Sequence, residues 1–321
     1  MALVRLGIDV GGTKLEGVCL ETGGRELVRQ RIPTPTGGYR DVLDAIAHLV
    51  EELEQGVEAA GQTQPTAGVK IGVGCPGFLA PSDGLIRNSN LQALNGRAFD
   101  RDLAAHLGRP VRIANDANCF VLSETLDGAA TIDPTPESTA EGAARPDVVF
   151  GATLGTGVGG GLVVGGRVWG GANGSAGEWS HLPLPYLRDE DADGSGCYCG
   201  RPACIESFLC GRGLEWDHRR ATGASVPARE IGHLVGLHEP AALATLGRYA
   251  DRLARALTLV VDLVDPRAIV LGGGIATNRG LFENLPARLE AYTVAKGLGT
   301  RIVAARHGDA SGVRGAARLW D

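Results

Sequence analysis

The sequence contains no apolar run long enough to cross a membrane and no excess of basic residues. A membrane-spanning helix needs roughly 18 or more apolar residues in succession, and the 321 residues contain no such stretch. The first residues lead directly into an apolar strand pattern, without the basic segment and apolar core of a secretory signal. The net charge of -6 argues against nucleic-acid binding, which needs a basic face. We therefore expect a cytoplasmic protein with neither a membrane nor a nucleic-acid partner.

Signatures of several other protein classes are also missing. The cysteine count is seven, an odd number that does not suit a disulfide framework. The 49 glycines follow no repeat period, and no glycine-rich loop ends in the Gly-Lys-Ser/Thr of a P-loop. The remaining composition is that of an ordinary globular protein, 44% hydrophobic and 21% charged. The chain is long enough to form two cores.

Two glycine-rich turns, each between two apolar runs, are the most informative feature of the sequence. The first is Gly7-Ile-Asp-Val-Gly11-Gly12-Thr13-Lys14, and the second is Gly151-Ala-Thr-Leu-Gly155-Thr156-Gly157-Val-Gly159-Gly160-Gly161. They are offset by 144 residues, and the glycine pair at 23–24 has a counterpart at 165–166. A strand–turn–strand–turn–strand unit therefore occurs twice. This predicts an α/β protein of two similarly folded lobes with a cleft between them.

Glycine turns of this kind let backbone N–H groups converge on an anion. A third turn, Gly272-Gly273-Gly274, follows another predicted strand. Any one of these turns alone is better explained as an ordinary hairpin, but the three together favour phosphate binding. Gly155-x-Gly157-x-x-Gly160 matches the dinucleotide fingerprint, but a hairpin follows it where that fingerprint requires a helix, so a Rossmann site is not expected.

Periodicity places further elements around these turns. Strands are predicted at 3–10, 15–20, 26–32, 68–73, 111–114 and 268–271. Helices are predicted at 39–60, 100–107, 117–126, 243–264 and 311–320. The segment 131–147 is rich in Pro, Ala, Thr and Glu and has no periodicity, so it is predicted to be a surface insertion.

Two carboxylates and one lysine are candidates for catalysis. Asp9 ends the first predicted strand, where it could hold the waters of a Mg²⁺ ion that bridges nucleotide phosphates. Lys14 could offset phosphate charge, although a solvated surface lysine is an equal alternative. Asp116 lies within Asn115-Asp116-Ala117-Asn118. It is either part of a helix cap or the general base that takes a proton from a substrate hydroxyl. Beside the phosphate turns we favour the base, which predicts an ATP-dependent phosphotransferase.

Three of the cysteines are clustered. Cys197, Cys199 and Cys204 follow His181 in a short segment, and Cys₃His is a closed ligand set for structural zinc. Free thiols are the alternative. A zinc ion there would hold the loop that carries Glu178, His181 and Glu206, whose polar groups could bind a polyol.

These motifs together resemble the ROK family (repressors, open reading frames and sugar kinases) of the actin-like ATPase superfamily. Further stretches that carry the likeness are Asn88-Ser-Asn-Leu-Gln-Ala-Leu-Asn-Gly and Gly174-Ser-Ala-Gly-Glu-Trp. The likeness covers nearly the whole chain outside the insertion. It is greatest to bacterial fructokinases of the fructo(manno)kinase type, with N-acetylglucosamine kinases as close competitors and glucokinases or mannokinases as further alternatives.

The resemblance implies an α/β, two-lobed actin-like ATPase (ribonuclease H-like) fold with duplicated βββαβα-type domains. The small lobe would comprise 1–117, completed by a C-terminal helix at 308–321, and the large lobe 118–307 would carry the zinc-binding loop. The implied reaction is transfer of phosphate from ATP to the 6-hydroxyl of a hexose, with fructose first among the candidates. A homodimer is a further possibility that the resemblance raises.

The resemblance also implies individual roles, with Asp116 as the catalytic base. The implied MgATP ligands are Asp9, Gly11, Gly12, Thr13, Lys14, Gly155, Thr156, Gly157, Gly159, Gly272, Gly273 and Gly274. The implied sugar ligands are Gly77, Asn90, Asn115, Asp116, Glu178, His181 and Glu206. The implied structural Zn²⁺ ligands are His181, Cys197, Cys199 and Cys204. Ser180 and Ala203 stand where the family commonly has glycine, and either could alter the loop conformation and the choice of sugar.

Two functions from other classes compete with a kinase. A sugar-responsive repressor would need an N-terminal helix-turn-helix, for which the two residues before the first predicted strand leave no room. A non-catalytic sugar-binding protein, or an ATPase with another substrate, would show no ATP consumption that depends on added hexose.

Overall fold

The computed structural model describes residues 4–61, 69–131, 147–192 and 194–321. The predicted insertion lies outside the described residues except for its end positions 131 and 147, and so do the first residues of the strands predicted at 3–10 and 68–73. The strands are β1 (Val4–Val10), β2 (Lys14–Glu21), β3 (Glu26–Pro33), β4 (Ile71–Cys75), β5 (Phe78–Ala80), β6 (Leu85–Arg87), β7 (Val111–Asn115), β8 (Val148–Leu154), β9 (Val158–Val164), β10 (Arg167–Val168), β11 (Ala268–Gly272) and β12 (Arg301–Ala304). The helices are α1 (Tyr39–Ala59), α2 (Phe99–Leu107), α3 (Asp116–Leu126), α4 (Glu206–Leu209), α5 (Gly211–Thr222), α6 (Ala228–Gly236), α7 (Pro240–Val264), α8 (Leu285–Tyr292) and α9 (Ser311–Ala317).

Two five-stranded sheets repeat one topology. The first has the order β3-β2-β1-β4-β7 and the second the order β10-β9-β8-β11-β12. In each, the central strand, which precedes a glycine turn, pairs in parallel with the next strand on one side. Asp9 lies opposite Gly74 in the first sheet, and Thr153 lies opposite Gly272 in the second. The two copies therefore agree in register, and the predicted duplication is confirmed.

Helix α1 covers one face of the first sheet. Its buried residues recur with helical spacing and are Val42, Leu43, Ile46, Leu49, Val50, Leu53 and Val57. Gly17 of β2 makes room for them, since a Cβ there would lie only 2.5 Å from Leu53 Cδ1. These side chains form one core cluster with the apolar residues of β1 and β4. Burial of each large aliphatic side chain contributes about 1.5–3 kcal/mol, which fixes the strands whose ends carry Asp9 and Asp116.

Helix α9 covers the opposite face of the same sheet, and its backbone lies directly against the backbone of the strands. A Cβ at Gly7 would lie 2.4 Å from the Val313 carbonyl oxygen, and one at Gly72 would lie 1.8 Å from the Ala316 carbonyl oxygen. On its other side, Gly315 would bring a Cβ within 1.7 Å of the Cys119 carbonyl oxygen. Only glycine allows backbones to approach this closely, so α9 is held directly against β1, β4 and α3.

A buried ion-pair network ties the segment before the cysteine cluster to helix α7. Asp191 accepts hydrogen bonds from Arg252 Nε at 2.7 Å and Arg255 Nη1 at 2.8 Å. Arg252 also donates to Asp217 Oδ1 at 2.6 Å. Because unpaired buried charges are costly, each of these groups depends on the others. The network therefore fixes the chain just ahead of Cys197.

The described residues divide into two compact units. The first comprises those within Met1–Thr131, Gly161–Ala176 and Asp309–Asp321, and the second those within Ile132–Gly160 and Gly177–Gly308. The lobe boundary at 117/118 stays a prediction. Among the described residues, none of the helices combines the length and the apolar character that crossing a membrane requires.

Candidate active site

The first glycine turn joins β1 to β2 and leaves its central backbone open. The Gly11 N–H donates to the Lys14 carbonyl at 2.9 Å, and the Thr34 hydroxyl donates to the Gly11 carbonyl at 2.7 Å. A Cβ at Gly12 would meet no atom within 4 Å, and Thr13 is exposed. The turn is thus held at its ends, and an anion could approach its middle.

The Lys14 ammonium forms an ion pair with a carboxylate of its own strand. Its Nζ lies 3.0 Å from the carboxylate of Glu16, which is buried. Arg29 and Arg31 bond the same carboxylate, and these three cations hold its pKa below the ordinary value despite its burial. The predicted contact of Lys14 with phosphate stays a prediction.

Two carboxylates lie at strand ends of the first sheet. Asp9 precedes the last residue of β1, and its carboxylate lies against two glycines, since a Cβ at Gly74 or Gly312 would be 3.4 or 3.5 Å from it. Burial raises the pKa of Asp9 to about 7, with further contributions from Asp116 and Glu16 that Lys14 partly offsets. Burial also raises the pKa of Asp116, although the Ala117 N–H stabilises its charged form. Such a pair can hold a cation or accept a proton.

Asn115 both caps a helix and links two segments of the first unit. Its Oδ1 accepts from the Ala117 N–H at 2.9 Å, which is the N-cap of α3, and its Nδ2 donates to the Gly77 carbonyl at 2.9 Å. Gly77 has φ +81°, and a Cβ there would lie 2.8 Å from the Ser89 nitrogen. The structure therefore brings Gly77 and Asn115 together, while the exposed Asn90 follows Ser89 in the adjoining loop.

The second glycine turn is tied to the helix that follows the cysteine cluster. The Gly155 N–H donates to the Gly157 carbonyl at 3.0 Å, and the Gly211 N–H donates to the Gly155 carbonyl at 2.8 Å. The Val158 N–H donates to Glu206 Oε2 at 2.8 Å. Glu206 is buried, and burial raises its pKa. The first residue of α4, predicted as a sugar ligand, thus also supports this turn.

The position equivalent to Asp9 in the second copy has a structural partner. The Thr153 hydroxyl accepts from the Gly159 N–H at 3.1 Å, so it closes its own turn. Of these two equivalent positions, only Asp9 in the first copy therefore carries an acidic side chain.

The third glycine turn lies against the second. Gly273 has φ +86°, and a Cβ there would be 2.4 Å from the Leu154 carbonyl oxygen. A Cβ at Gly155 would lie 4.0 Å from the Gly274 nitrogen. The predicted phosphate residues Gly155, Thr156 and Gly274 all line one cavity of about 870 Å³ within the second unit. This size is within the range of small-molecule sites.

Helix α6 forms a wall of that cavity and was not predicted from the sequence. The small and apolar residues of α6 in the lining are Ala228, Ile231, Gly232, Val235 and Gly236, and Arg229 and His233 of the same helix line it too. The exposed Arg212, Arg229 and Arg279 also belong to the lining and make it cationic. The Gly211-Arg212-Gly213 sequence, a further glycine pair beside an arginine, is the one local signal that points to this wall.

The cysteine cluster assembles as predicted. One ligand atom from each of His181, Cys197, Cys199 and Cys204 lies within 4.8 Å of the others. Cys199 Sγ and Cys204 Sγ are 3.5 Å apart, and Cys197 Sγ is 3.4 Å from His181 Nδ1. Tetrahedral zinc with bonds of about 2.0–2.3 Å places its ligands under about 4 Å apart. The donor set and its spacing fit a closed structural zinc site.

The loop around this cluster carries the remaining predicted sugar ligands. His181 Nε2 lies 3.9 Å from Glu178 Oε2 and 2.9 Å from the Tyr198 hydroxyl. Burial, and to a smaller extent Arg201, lowers the pKa of His181. Ala203 adopts φ +54°, a conformation that favours glycine, so its departure from the family pattern costs strain. Ser180 is buried in the turn Trp179–His181, at a φ that is not positive.

Comparison with known proteins identifies the family. The model of the ROK family matches residues 5–321. An N-acetyl-D-glucosamine kinase from Pectobacterium atrosepticum is 39% identical over 98% of this chain and 97% of its own length. A second one, from Yersinia enterocolitica, is 36% identical over 98% of each chain.

The solved structure of a ROK hexokinase from Thermus thermophilus is 33% identical and has a TM-score of 0.79. It aligns over 99% of this chain and 97% of its own. The predicted α/β fold of the actin-like ATPase superfamily is thereby confirmed. With matches of this length to a family model, to curated relatives and to a structure, the chain belongs to the ROK family.

Proposed function

We propose that this chain is an ATP-dependent sugar kinase that phosphorylates the 6-hydroxyl of N-acetylglucosamine. The observation that carries the choice of sugar is the full-length similarity to N-acetyl-D-glucosamine kinases, 35–39% identical over 98% of the chain. Fructose, the hexose favoured by the sequence motifs, becomes the second candidate, because those relatives support the alternative that the same motifs allowed.

Asp116 is the proposed general base. It lies directly after β7, at the start of α3, and its raised pKa makes it a better proton acceptor than an ordinary aspartate. Deprotonation of the sugar hydroxyl by Asp116 would accompany its attack on the γ-phosphate. Phosphoryl transfer otherwise needs positioning and charge stabilisation, for which the open backbone turns are suited.

Asp9 is the proposed residue that faces Mg²⁺. It lies half-buried in the same unit as Asp116 and is electrostatically coupled to it. A divalent cation beside Asp9 would favour its charged form and so lower the mutual repulsion of the two carboxylates. When bound, the ion would neutralise phosphate charge during transfer.

The cavity beside the second and third glycine turns is the proposed nucleotide site. The apolar and small side chains of α6 suit a planar base, and Arg212 and the two other arginines of the lining suit phosphate. Gly155, Thr156 and Gly157 from the second turn, with Gly272–Gly274 from the third, would supply backbone donors. Phosphate binding by Gly11–Lys14 of the first turn stays a prediction.

The proposed sugar ligands are polar groups on fixed backbone. Asn115 retains one amide hydrogen beyond its bond to Gly77, and Glu206 retains one carboxylate oxygen beyond its bond to Val158. Glu178 and His181 lie on the loop that a zinc ion would cross-link. Groups held in this way discriminate strongly between sugars, because a missing partner leaves them unpaired. The cytoplasmic location and the dimer stay predictions.

A coupled assay of ADP release with MgATP tests the function. N-acetylglucosamine should give the highest kcat/KM among N-acetylglucosamine, N-acetylmannosamine, glucose, mannose and fructose. Fructose as the best substrate would reverse the order of the two candidates, and no sugar-dependent ADP release at all would refute the kinase.

The role of Asp116 is tested by Asp116→Asn. We expect kcat to fall by about 10²–10⁴-fold while the dissociation constant of the sugar, measured calorimetrically, changes little. Asp44→Asn, on the exposed face of α1, is the matched control and should keep the wild-type kcat. An Asp116→Asn variant with near-normal kcat would refute the assignment.

A further inference from the structure

Tyr198 lies between Cys197 and Cys199 in the sequence, and its side chain contacts His181, the histidine of the cluster. Its hydroxyl is 2.9 Å from His181 Nε2, and the two rings meet edge to face at a centroid distance of 5.1 Å. The side chain is nevertheless 67% exposed. A largely solvated tyrosine is thus held in place at the imidazole nitrogen that faces away from the sulfurs.

The position of the cysteines determines what that nitrogen can do. Cys197 Sγ lies 3.4 Å from Nδ1 of His181, so Nδ1 is the nitrogen with the metal ligands. A neutral imidazole that uses Nδ1 as a ligand carries its proton on Nε2. With zinc bound at Nδ1, Nε2 would therefore donate and the Tyr198 oxygen would accept. This single N–H can make one strong hydrogen bond at a time.

We propose that Tyr198 occupies the place of a sugar hydroxyl at His181 and thereby sets the affinity for the sugar. This inference rests on the proposed function, in which His181 is a sugar ligand. A sugar oxygen that accepts from the same N–H must first displace the Tyr198 hydroxyl. The ring is largely exposed, so displacement is feasible, but it breaks the edge-to-face contact with His181 and always opposes binding.

The distinguishing variant is Tyr198→Phe, which removes the hydroxyl and keeps the ring. A solvent-accessible hydrogen bond contributes about 0.5–1.5 kcal/mol net, so its loss as a competitor should lower the sugar KM about two- to tenfold. The competition acts equally on ground state and transition state, so kcat should stay within about twofold. The dissociation constant for N-acetylglucosamine, measured by calorimetry without nucleotide, should fall by the same factor.

Tyr186→Phe is the matched control. Tyr186 is also a largely exposed tyrosine of the second unit, but its hydroxyl donates to the Tyr292 carbonyl at 3.2 Å and lies outside the cluster. This variant should leave KM and the dissociation constant unchanged. Metal analysis of both variants should give the wild-type zinc content, because neither removes a ligand.

The outcomes separate the two proposals. An unchanged or lowered sugar affinity in Tyr198→Phe overturns the inference, since the hydroxyl would then be neutral or a sugar contact. Tyr198→Ala provides a second test that does not depend on the ring, and it too should bind sugar more tightly while keeping zinc. If the wild type binds N-acetylglucosamine but consumes no ATP, the kinase fails while calorimetry still tests Tyr198.

Discussion

The backbone N–H of Val158 donates a 2.8 Å hydrogen bond to the buried carboxylate of Glu206. On the other side of the same carboxylate, a Cβ at Gly157 would lie 3.3 Å from Oε1. Glu206 therefore supports the second glycine turn from behind, while its chain neighbours lead back to Cys204. The proposed nucleotide turn and the proposed metal loop thus share one side chain.

Replacing Glu206 separates its support of the turn from its contact with sugar. Glu206→Gln keeps an oxygen for the Val158 N–H, so the KM for ATP should stay within about twofold while the sugar KM rises. Glu206→Ala leaves that buried N–H without its partner, which costs about 1–3 kcal/mol, and should raise the KM for ATP as well. Initial-rate kinetics on both substrates are the measurement. Glu283→Ala, on an exposed turn of the same unit, should change neither KM, and equal ATP KM values for both Glu206 variants would argue against the supporting role.

The raised pKa of Asp9 predicts a pH-dependent stability. Unfolded aspartate releases its proton near pH 3.9, whereas folded Asp9, facing Asp116, Glu16 and Lys14, keeps it up to about pH 7. The folded state binds more protons in this window, so Asp9 lowers the free energy of unfolding as pH rises from about 4 to 7. Asp9→Asn should remove this loss. In Mg²⁺-free urea titrations its advantage over wild type should grow up to pH 7 and then level off, and an advantage independent of pH would contradict the shift.

The four-ligand cluster predicts about one zinc per chain in protein purified without chelators. Cys199→Ser should lower the zinc content and the thermal stability together, because metal binding contributes free energy to the folded state. Cys199 is exposed, so the substitution itself disturbs little packing. Cys210→Ser, at a thiol outside the cluster, should keep the metal. Elemental analysis that finds well under one zinc in the wild type would rule the site out.

The backbone conformation of Ala203 predicts that replacing alanine by glycine stabilises the protein at this position but destabilises it within a helix. At φ +54° its Cβ is strained, so Ala203→Gly should raise the free energy of unfolding by about 0.5–1 kcal/mol. Ala244→Gly, at an exposed position in the second turn of α7, should lower it by about the same amount. Urea denaturation of both variants in zinc-replete buffer checks the signs. Destabilisation in both would show that Ala203 is not strained.

The parts of the fold that depend on local chemistry were predictable from the sequence. Tight turns need glycine, and the offset of Gly11 and Gly155 within apolar runs was enough to predict two copies of one unit. The helix that begins at Asp116 was predictable because Asn115 is a preferred cap residue. The cysteine cluster was predictable because its ligands are close in the sequence.

Other features depend on contacts between distant residues and could not be predicted in this way. Helix α6 contains Gly232 and Gly236, which are poor helix formers, so tertiary packing rather than propensity maintains it. The charges of Arg252 and Arg255 suggest a solvated face of α7, but Asp191, 61 and 64 residues earlier, pairs with them in the interior. Tyr198 gives no local signal of its contact with His181.

The placement of α9 has a consequence for how the protein is made. Residues 311–317 leave the ribosome some 300 residues after β1, yet Gly7, Gly72 and Gly315 allow that helix to close the interior face of the first sheet. The first sheet is therefore synthesised well before the helix that completes its burial. During translation its apolar strands stay uncovered on that side, which makes this nascent chain a natural client for chaperones.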